Sequence, residues 1–560
     1  MTQDSSAIPE PTLEEIAAAE KLMGISYTPA ERALMAGTFH GQIVAAVQRR
    51  AFRLENAAPM ALRFDPRPPG FAMPKGPNRL TQTVVSPSPL PPSDASIAFA
   101  PVTQLASWIA SGVLSSRRLT DIYLARIAQF DPQLECIAQV TPDLAVAEAD
   151  AADALLRAGV HLGQLHGIPY VVKDLFDTAG VETAWGAETH RGRVPGRDAT
   201  VVARLRAAGA VLLGKAALGA LAYNDIWYGG RSRNPWNPEE GSSGSSAGSA
   251  SATAAGLCAF GIGTETLGSI TSPCQRCGTT GLRPTFGRVA RGGAMALAWS
   301  MDKIGPICRS VEDTALVLAA INGADTDDPS SIQAPFRFDA NADISQMRIG
   351  YLPKAFGDGA TAIDHAALEA ARRLGVEVVE VSLPDLPYGA LMNLMFAEAA
   401  AAFEDLTLDS RDDLLTWQGA DAWPNIFRRS RFLSAVDHVQ LDRLRWQVML
   451  ALDGLFSQVD SVIGPFNTGP MLVATNFTGH PCLHLRAGFF ESATRAPGAF
   501  GAGKLRMAEA CETGPTLTVP QGISLWGRLF DEGCLLRLGL ELEAELGVSQ
   551  VVPPAFSELV

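Results

Sequence analysis

Apolar positions along this chain fall into three successive patterns. Between residues 11 and 57 they recur at helical spacing, with Leu13, Ile16, Ala17 and Met23 in one stretch and Leu34, Phe39, Ile43 and Val47 in the next. Thr28 to Glu31 reads as a capping box with proline at the first helical position, so the second helix is predicted from Pro29 to about Leu54. From Pro59 to Asp94 the periodicity disappears and proline dominates, in DPRPPG and SPSPLPPSD; proline disfavours helix and central strand, which predicts a semi-extended linker strapped along the surface. Beyond Ile97 helices are predicted at 103–112, at 116–130 with Ser115 or Ser116 as cap, and at 142–158. Strands follow at 168–173 and 210–214 with a helix over 199–208 between them, and the alternation resumes with a strand at 347–352, a helix at 362–374 and a strand at 376–381. Residues 386–458 read as mainly helical. Alternation of this kind belongs to an α/β layered domain. The predicted organisation is a helical extension over 1–58, a Pro-rich linker over 59–96 and one large domain over 97–560.

One stretch does not fit a simple helix or strand. Residues 240–283, EGSSGSSAGSASATAAGLCAFGIGTETLGSITSPCQRCGTTGLR, are dense in Gly and Ser, the composition of a flexible linker. A linker is excluded by the buried-type run LCAFGIG at 257–263. Ala247 to Gly256 suits a short buried helix whose free amides and positive end face Ser245 and Ser246. Leu257 to Gly263 is predicted as a buried strand and Thr264 to Ser269 as the turn at its carboxyl end, where α/β proteins bind ligands.

Composition narrows the class. With 560 residues, 47% hydrophobic and 19% charged, the chain can bury a large core and add an extension. A net charge of −14, with Arg428, Arg429 and Arg431 as the one basic cluster, argues against nucleic-acid binding. The N-terminus has neither a basic start nor an apolar core, so no secretory signal is expected, and no run of eighteen apolar residues predicts a membrane span. Eight Cys in apolar contexts, Cys511 among them, suggest free buried thiols and a cytoplasmic location. Cys274 and Cys277 form a CxxC, and without a second pair nearby zinc is not expected.

Taken together, GSSGSSAGS at 241–249, GTETLGSI at 263–270 and CGTTGLRPTFGR at 277–288 resemble the signature of the amidase signature family of serine hydrolases. LHGIPYVVKDLFDTAG at 165–180 is similar to the family's lysine strand, VLLGKAAL at 211–218 to the strand after it and DKIGPICRSVEDTALVL at 302–318 to the segment after the signature. TGHPCLHLRAGF at 478–489 and ISLWGRLFDEGCLLRLGLELE at 523–543 resemble its closing elements, so the likeness runs from about Ala98 to Pro554. The resemblance implies an α/β fold with a central mixed sheet covered by helices on both faces. It also implies a Ser–Ser–Lys triad, with Ser269 as nucleophile, Ser245 as the bridging serine next to a cis peptide bond and Lys173 as base. The amides of Thr266, Leu267, Gly268 and Ser269 occupy the oxyanion-hole positions. No metal or organic cofactor is implied.

The same assignment has a chemical argument of its own. A serine hydroxyl needs a base, and none of the eight His lies in a nucleophile-elbow context. Taken alone, a lysine beside a strand is usually a solvated or salt-bridged charge, and Asp174 is a ready partner for Lys173. Buried after the apolar run GIPYVV, however, Lys173 would lose water, fall in pKa and accept a proton relayed through Ser245.

Some positions depart from the family pattern: Ser243 and Ala247 stand where paired glycines are usual, Glu265 where Asp is usual, Leu267 in a Gly-Gly position and Thr271 in place of an arginine. Leu267 adds bulk, which predicts a reshaped hole. Trp185, Trp227, Tyr228 and Met301 are the predicted substrate contacts, against plain core packing for each taken singly. The resulting expectation is a hydrolase of C–N bonds in linear amides, with esters or carbamates open to the same acyl-enzyme. Its expected partner is an amide or ester small molecule, with no nucleic acid and no membrane, and the helical pair serves as a dimerisation or docking element or as packed decoration. Two alternatives stand beside it: the amidase-like subunit of a tRNA-dependent amidotransferase, and a catalytically silent scaffold.

Overall fold

Eleven strands among the described residues build one mixed sheet. In chain order they are β1 (Ile137–Val140), β2 (Pro169–Lys173), β3 (Val211–Ala216), β4 (Phe260–Glu265), β5 (Thr280–Arg283), β6 (Lys303–Cys308), β7 (Arg348–Tyr351), β8 (Glu377–Glu380), β9 (Ser461–Pro465), β10 (Cys482–Ser492) and β11 (Leu517–Gly527). Across the sheet they run β8-β7-β9-β11-β10-β5-β6-β4-β2-β3-β1. The trio β4-β2-β3 is parallel and every residue in it is buried. That burial explains why these three read as near-continuous apolar or small-residue runs. The computed structural model describes residues 10–85, 88–466, 468–495, 499–501, 504–506 and 516–558. Residues 1–9, read above for a targeting signal, and Cys511 lie outside them.

Two helices precede this body, α1 (Leu13–Met23) and α2 (Pro29–Ala51), and both begin with a complete capping box, on Thr12 and on Thr28. No residue of α2 is buried, and Leu34 is 81% exposed. The proline-rich stretch that follows is extended, with one pairing that its composition does not predict: Arg79–Thr81 runs parallel to Arg337–Asp339. The window from Asn78 to Val85 is free of proline, so its amides are available to a ladder.

Inside the Gly/Ser-rich stretch the helix α3 spans Ala247–Ala254, and the strand after it starts at Phe260 rather than at Leu257. Gly256, at φ +65°, turns the chain, and the Leu257 amide donates back to the Ala252 carbonyl at 2.9 Å. Residues 257–259 are consumed in leaving the helix. A second short helix, α4 (Thr271–Cys277), carries Cys274 and Cys277 as buried free thiols. Among the described residues no helix is long and apolar enough to cross a membrane.

Candidate active site

Strand register determines which groups meet at the site. Val172 of β2 lies opposite Ile262 of β4, so the carboxyl ends of these parallel strands are neighbours. Lys173 closes β2, and its Nζ lies 2.8 Å from Thr264 Oγ1 and 3.4 Å from the Thr264 carbonyl oxygen. The turn into α3 brings Ser245 Oγ to 2.8 Å and Ser246 Oγ to 3.1 Å from the same nitrogen. The peptide between Gly244 and Ser245 is cis. The Ser246 amide donates to the Ser269 carbonyl at 3.0 Å, tying the two serine-bearing segments together. Close approach of α3 to β4 requires small residues: a Cβ on Gly263 would stand 2.6 Å from Ser246 Oγ.

Lys173 is 0% exposed, and loss of its water drives its pKa well below the ordinary lysine value, while Asp302 and Glu265 pull the other way without prevailing. Donor accounting then distinguishes the two serines. Ser246 commits its hydroxyl proton to the Thr264 carbonyl at 3.1 Å, so toward the lysine it can only accept. Among the described residues Ser245 carries no such commitment, and its hydroxyl is the one free to donate to an uncharged amine. Asp174 does not pair with Lys173. It faces Lys215 at 3.6 Å and accepts from the Ala184 amide at 3.1 Å.

Two carboxylates that sequence reasoning leaves without a role hold the loop after β4. Glu265 is fully buried; it pairs with Arg283 at 2.7 Å, accepts from Asn476 at 2.9 Å and takes the amides of Ile270 and Thr271 at 2.9 Å each. Burial alone would raise its pKa, but Arg283 and these donors bring it down to about 2. Glu265 thus consumes the two amides just beyond the predicted hole, whereas those of Leu267, Gly268 and Ser269 make no hydrogen bond within the described chain. Asp302 accepts from Thr266 Oγ1 at 2.6 Å and from the amides of Leu297 and Ala298 at 2.8 and 3.0 Å. In the sequence the hint for Glu265 is a lone acidic residue within an otherwise uncharged run, while Asp302, next to Lys303, reads as half of an ordinary charge pair. Leu267 turns its side chain into a core cluster with Leu394, Met395 and Met471, which absorbs the bulk expected to reshape the hole.

The four predicted substrate contacts separate. Met301 is fully buried in the same cluster as Leu267. Trp227 donates its indole N–H to the Glu135 carbonyl at 3.1 Å, and Tyr228 lies under the Arg191 guanidinium at 4.9 Å, both on the hairpin of residues 226–231. Trp185, at φ +57°, is held by its amide to the Asp174 carbonyl at 3.1 Å and lines a cavity of about 720 Å³ together with His190, Arg193 and Phe403. A smaller cavity of about 190 Å³ reaches Thr264 and Thr266 and is lined by Leu175, Met295, Leu297 and Ile304. Ala57, Pro59 and Met60, where the helical extension passes into the linker, border both cavities.

A family profile described as Amidase matches residues 118–536. The chain belongs to the amidase signature family. A glutamyl-tRNA(Gln) amidotransferase subunit from Roseiflexus castenholzii is 37% identical to this amidase over 470 residues, which is 78% of this chain and 94% of that protein. Its counterpart from Anaeromyxobacter dehalogenans is 34% identical over 475 residues, covering 78% and 94%. Among solved structures, the native peptide amidase from Stenotrophomonas maltophilia matches this amidase with a TM-score of 0.66 and 29% identity, covering 80% of this chain and 96% of that one. A vestigial complex bearing on the origins of an s-triazine catabolic enzyme matches with a TM-score of 0.68 and 28% identity, over 80% and 98%. These matches bear out the expected family, the mixed α/β architecture and the hydrolase class of the amidase. They correct the expected partners. An account restricted to a small-molecule amide or ester, without nucleic acid, does not fit relatives named as subunits of a tRNA amidotransferase. The net charge of −14 is an average over the whole chain and carries no information on what one component meets through its assembly.

Proposed function

We propose that this amidase hydrolyses the C–N bond of a linear amide through an acyl-enzyme on Ser269, with Ser245 as relay and Lys173 as base. The single observation that supports the reading most is the wholly buried Lys173 amine 2.8 Å from Ser245 Oγ, with its pKa depressed by loss of water. Uncharged Lys173 takes the Ser245 proton as Ser245 takes that of Ser269, and the freed Ser269 Oγ bonds to the acyl carbon. The amides of Thr266, Leu267, Gly268 and Ser269 receive the developing oxyanion, each donor in comparable sites being worth about 3–4 kcal/mol. Return of the proton through Ser245 to the leaving nitrogen breaks the C–N bond. A water activated by the same relay then releases the acid, and esters or carbamates follow the same course. Seven unpaired thiols among the described residues support a cytoplasmic setting.

A second reading concerns the setting of this chemistry and is favoured by the relatives' names: the chain works as the amide-cleaving component of a glutamyl-tRNA(Gln) amidotransferase. Release of ammonia from linear amides by the isolated chain, and its loss in Ser269→Ala and Lys173→Ala, tests the first reading. Copurification with a second protein and transfer of the amide nitrogen to glutamyl-tRNA test the second. Full hydrolysis by Lys173→Ala at neutral pH would remove Lys173 as base.

A further inference from the structure

The 190 Å³ cavity beside Thr264 and Thr266 has a wall that lies outside the residues matched by the family profile. One side consists of the end of β4 and the loop 291–302; the other is the strap Ala57, Pro59, Met60, Leu62 and Phe64. The strap is pinned at both ends. At one end Asn56 exchanges hydrogen bonds with the Ala296 backbone, Nδ2 to the carbonyl at 2.8 Å and Oδ1 from the amide at 2.8 Å. Asn56 Nδ2 also donates to the Ala402 carbonyl at 3.2 Å, and the Asn56 carbonyl accepts from Trp299 Nε1 at 3.2 Å. At the other end the Phe64 ring lies 3.5 Å from the buried Arg445 guanidinium and edge-on to Phe286 at 5.1 Å. Met60, 37% exposed, lies midway between these pins and borders both cavities.

The inner lining is mixed, with Leu175 and Ile304 beside the buried Ser300, Asp302 and Asp328, while Arg197 and Asp327, paired at 2.9 Å and largely exposed, mark the rim. A dry cavity of about 150 Å³ holds benzene. A space of about 190 Å³ is therefore on the scale of a one-ring or short-chain group. Thr264, which lines this cavity, also holds Lys173 Nζ at 2.8 Å, and we propose that the strap of residues 54–64, through Met60, sets the size of the amide-bearing group admitted to Ser269, selecting compact groups. The inference rests on the preceding assignment of Ser269 and adds the residue that limits what reaches it.

The test uses the full chain and three fluorophosphonates, carrying methyl, phenyl or naphthyl groups, with the rate of Ser269 labelling followed by intact mass. Met60→Ala should raise the naphthyl rate relative to the methyl rate by about tenfold, and Met60→Trp should lower the phenyl rate relative to methyl by about tenfold, the scale set by small volume changes in apolar pockets. Asn56→Ala, which unpins the strap, should act like Met60→Ala. Should it fail to fold, the two Met60 variants decide the matter alone. Rate ratios unchanged in the folded variants, with Ser269 still labelled, overturn the strap as size filter and leave the triad standing. No labelling of Ser269 by any reagent overturns the triad reading and this inference with it.

Discussion

The inner and outer walls of the site are built by opposite means. On the inside, Lys173, Ser245, Thr264 and Glu265 stand on short, wholly buried elements, and every polar group among them is fixed by named partners. On the outside, the helices α1 and α2 and the strap after them are held to the body by exposed pairs, Arg49 with Glu404 at 2.6 Å and Arg53 with Asp405 at 2.6 Å, and by the pins at Asn56 and Phe64. Exposed ion pairs are individually weak, whereas breaking a buried one is expensive. The inner wall is thus held by burial, while the outer wall, where the proposed size filter lies, is held largely by contacts at the surface.

The inner wall should therefore be the fragile one. Ser269→Ala and Lys173→Met are expected to lower kcat/KM for amide hydrolysis by about a thousandfold or more, the range for losing a nucleophile or its base. Thermal denaturation should show Lys173→Met at least as stable as the parent, because it removes an amine whose burial opposes its charge. Glu265→Ala should lower unfolding stability in urea by about 3–5 kcal/mol, since it strands Arg283 in the interior. Its pH dependence has a definite sign. The folded pKa is about 2 against an ordinary 4.5, so this contribution is present above pH 4.5 and is lost as pH falls toward 2. An acid titration of stability should show that loss in the parent and not in Glu265→Gln.

A smaller effect is expected from Gly263→Ala, whose new methyl would meet Ser246 Oγ at 2.6 Å. A loss of about 1–3 kcal/mol, with slower turnover as α3 shifts, should appear in parallel unfolding and rate measurements. Smallest of all, Arg49→Ala on the outer wall should change stability by about 1 kcal/mol at most, and by less as salt is added. A large loss there would erase the contrast between the two walls.

This division also explains what can be read from the sequence. β2, β3 and the helices at 200–207 and 362–373 follow directly from apolar runs and periodicity, because buried elements leave their pattern in the chain. Lys173, Ser245 and Ser269 are visible through the resemblance of their motifs, while the contacts of Thr264 are not, since they depend on the strand register of β2 against β4. Glu265 and Asp302 act on backbone amides several residues away, a role that no spacing announces. The predicted substrate contacts divide for a related reason. Trp185 lines a cavity, whereas Met301 lies in the core, and both look alike in a string of letters. The strap is legible as an extended proline-rich segment, but its course over the cavities depends on Asn56 finding Ala296, 240 residues away.

The most direct test of the buried, uncharged lysine is the pH dependence of Ser269 labelling by the methyl fluorophosphonate, in the parent and in Lys173→Met. The parent should react fully at neutral pH and lose reactivity toward acid through one ionisation lying well below the ordinary lysine value, with the variant unreactive throughout. A parent rate that climbs only near the ordinary lysine pKa, or a variant that keeps the parent's rate and profile, would contradict it.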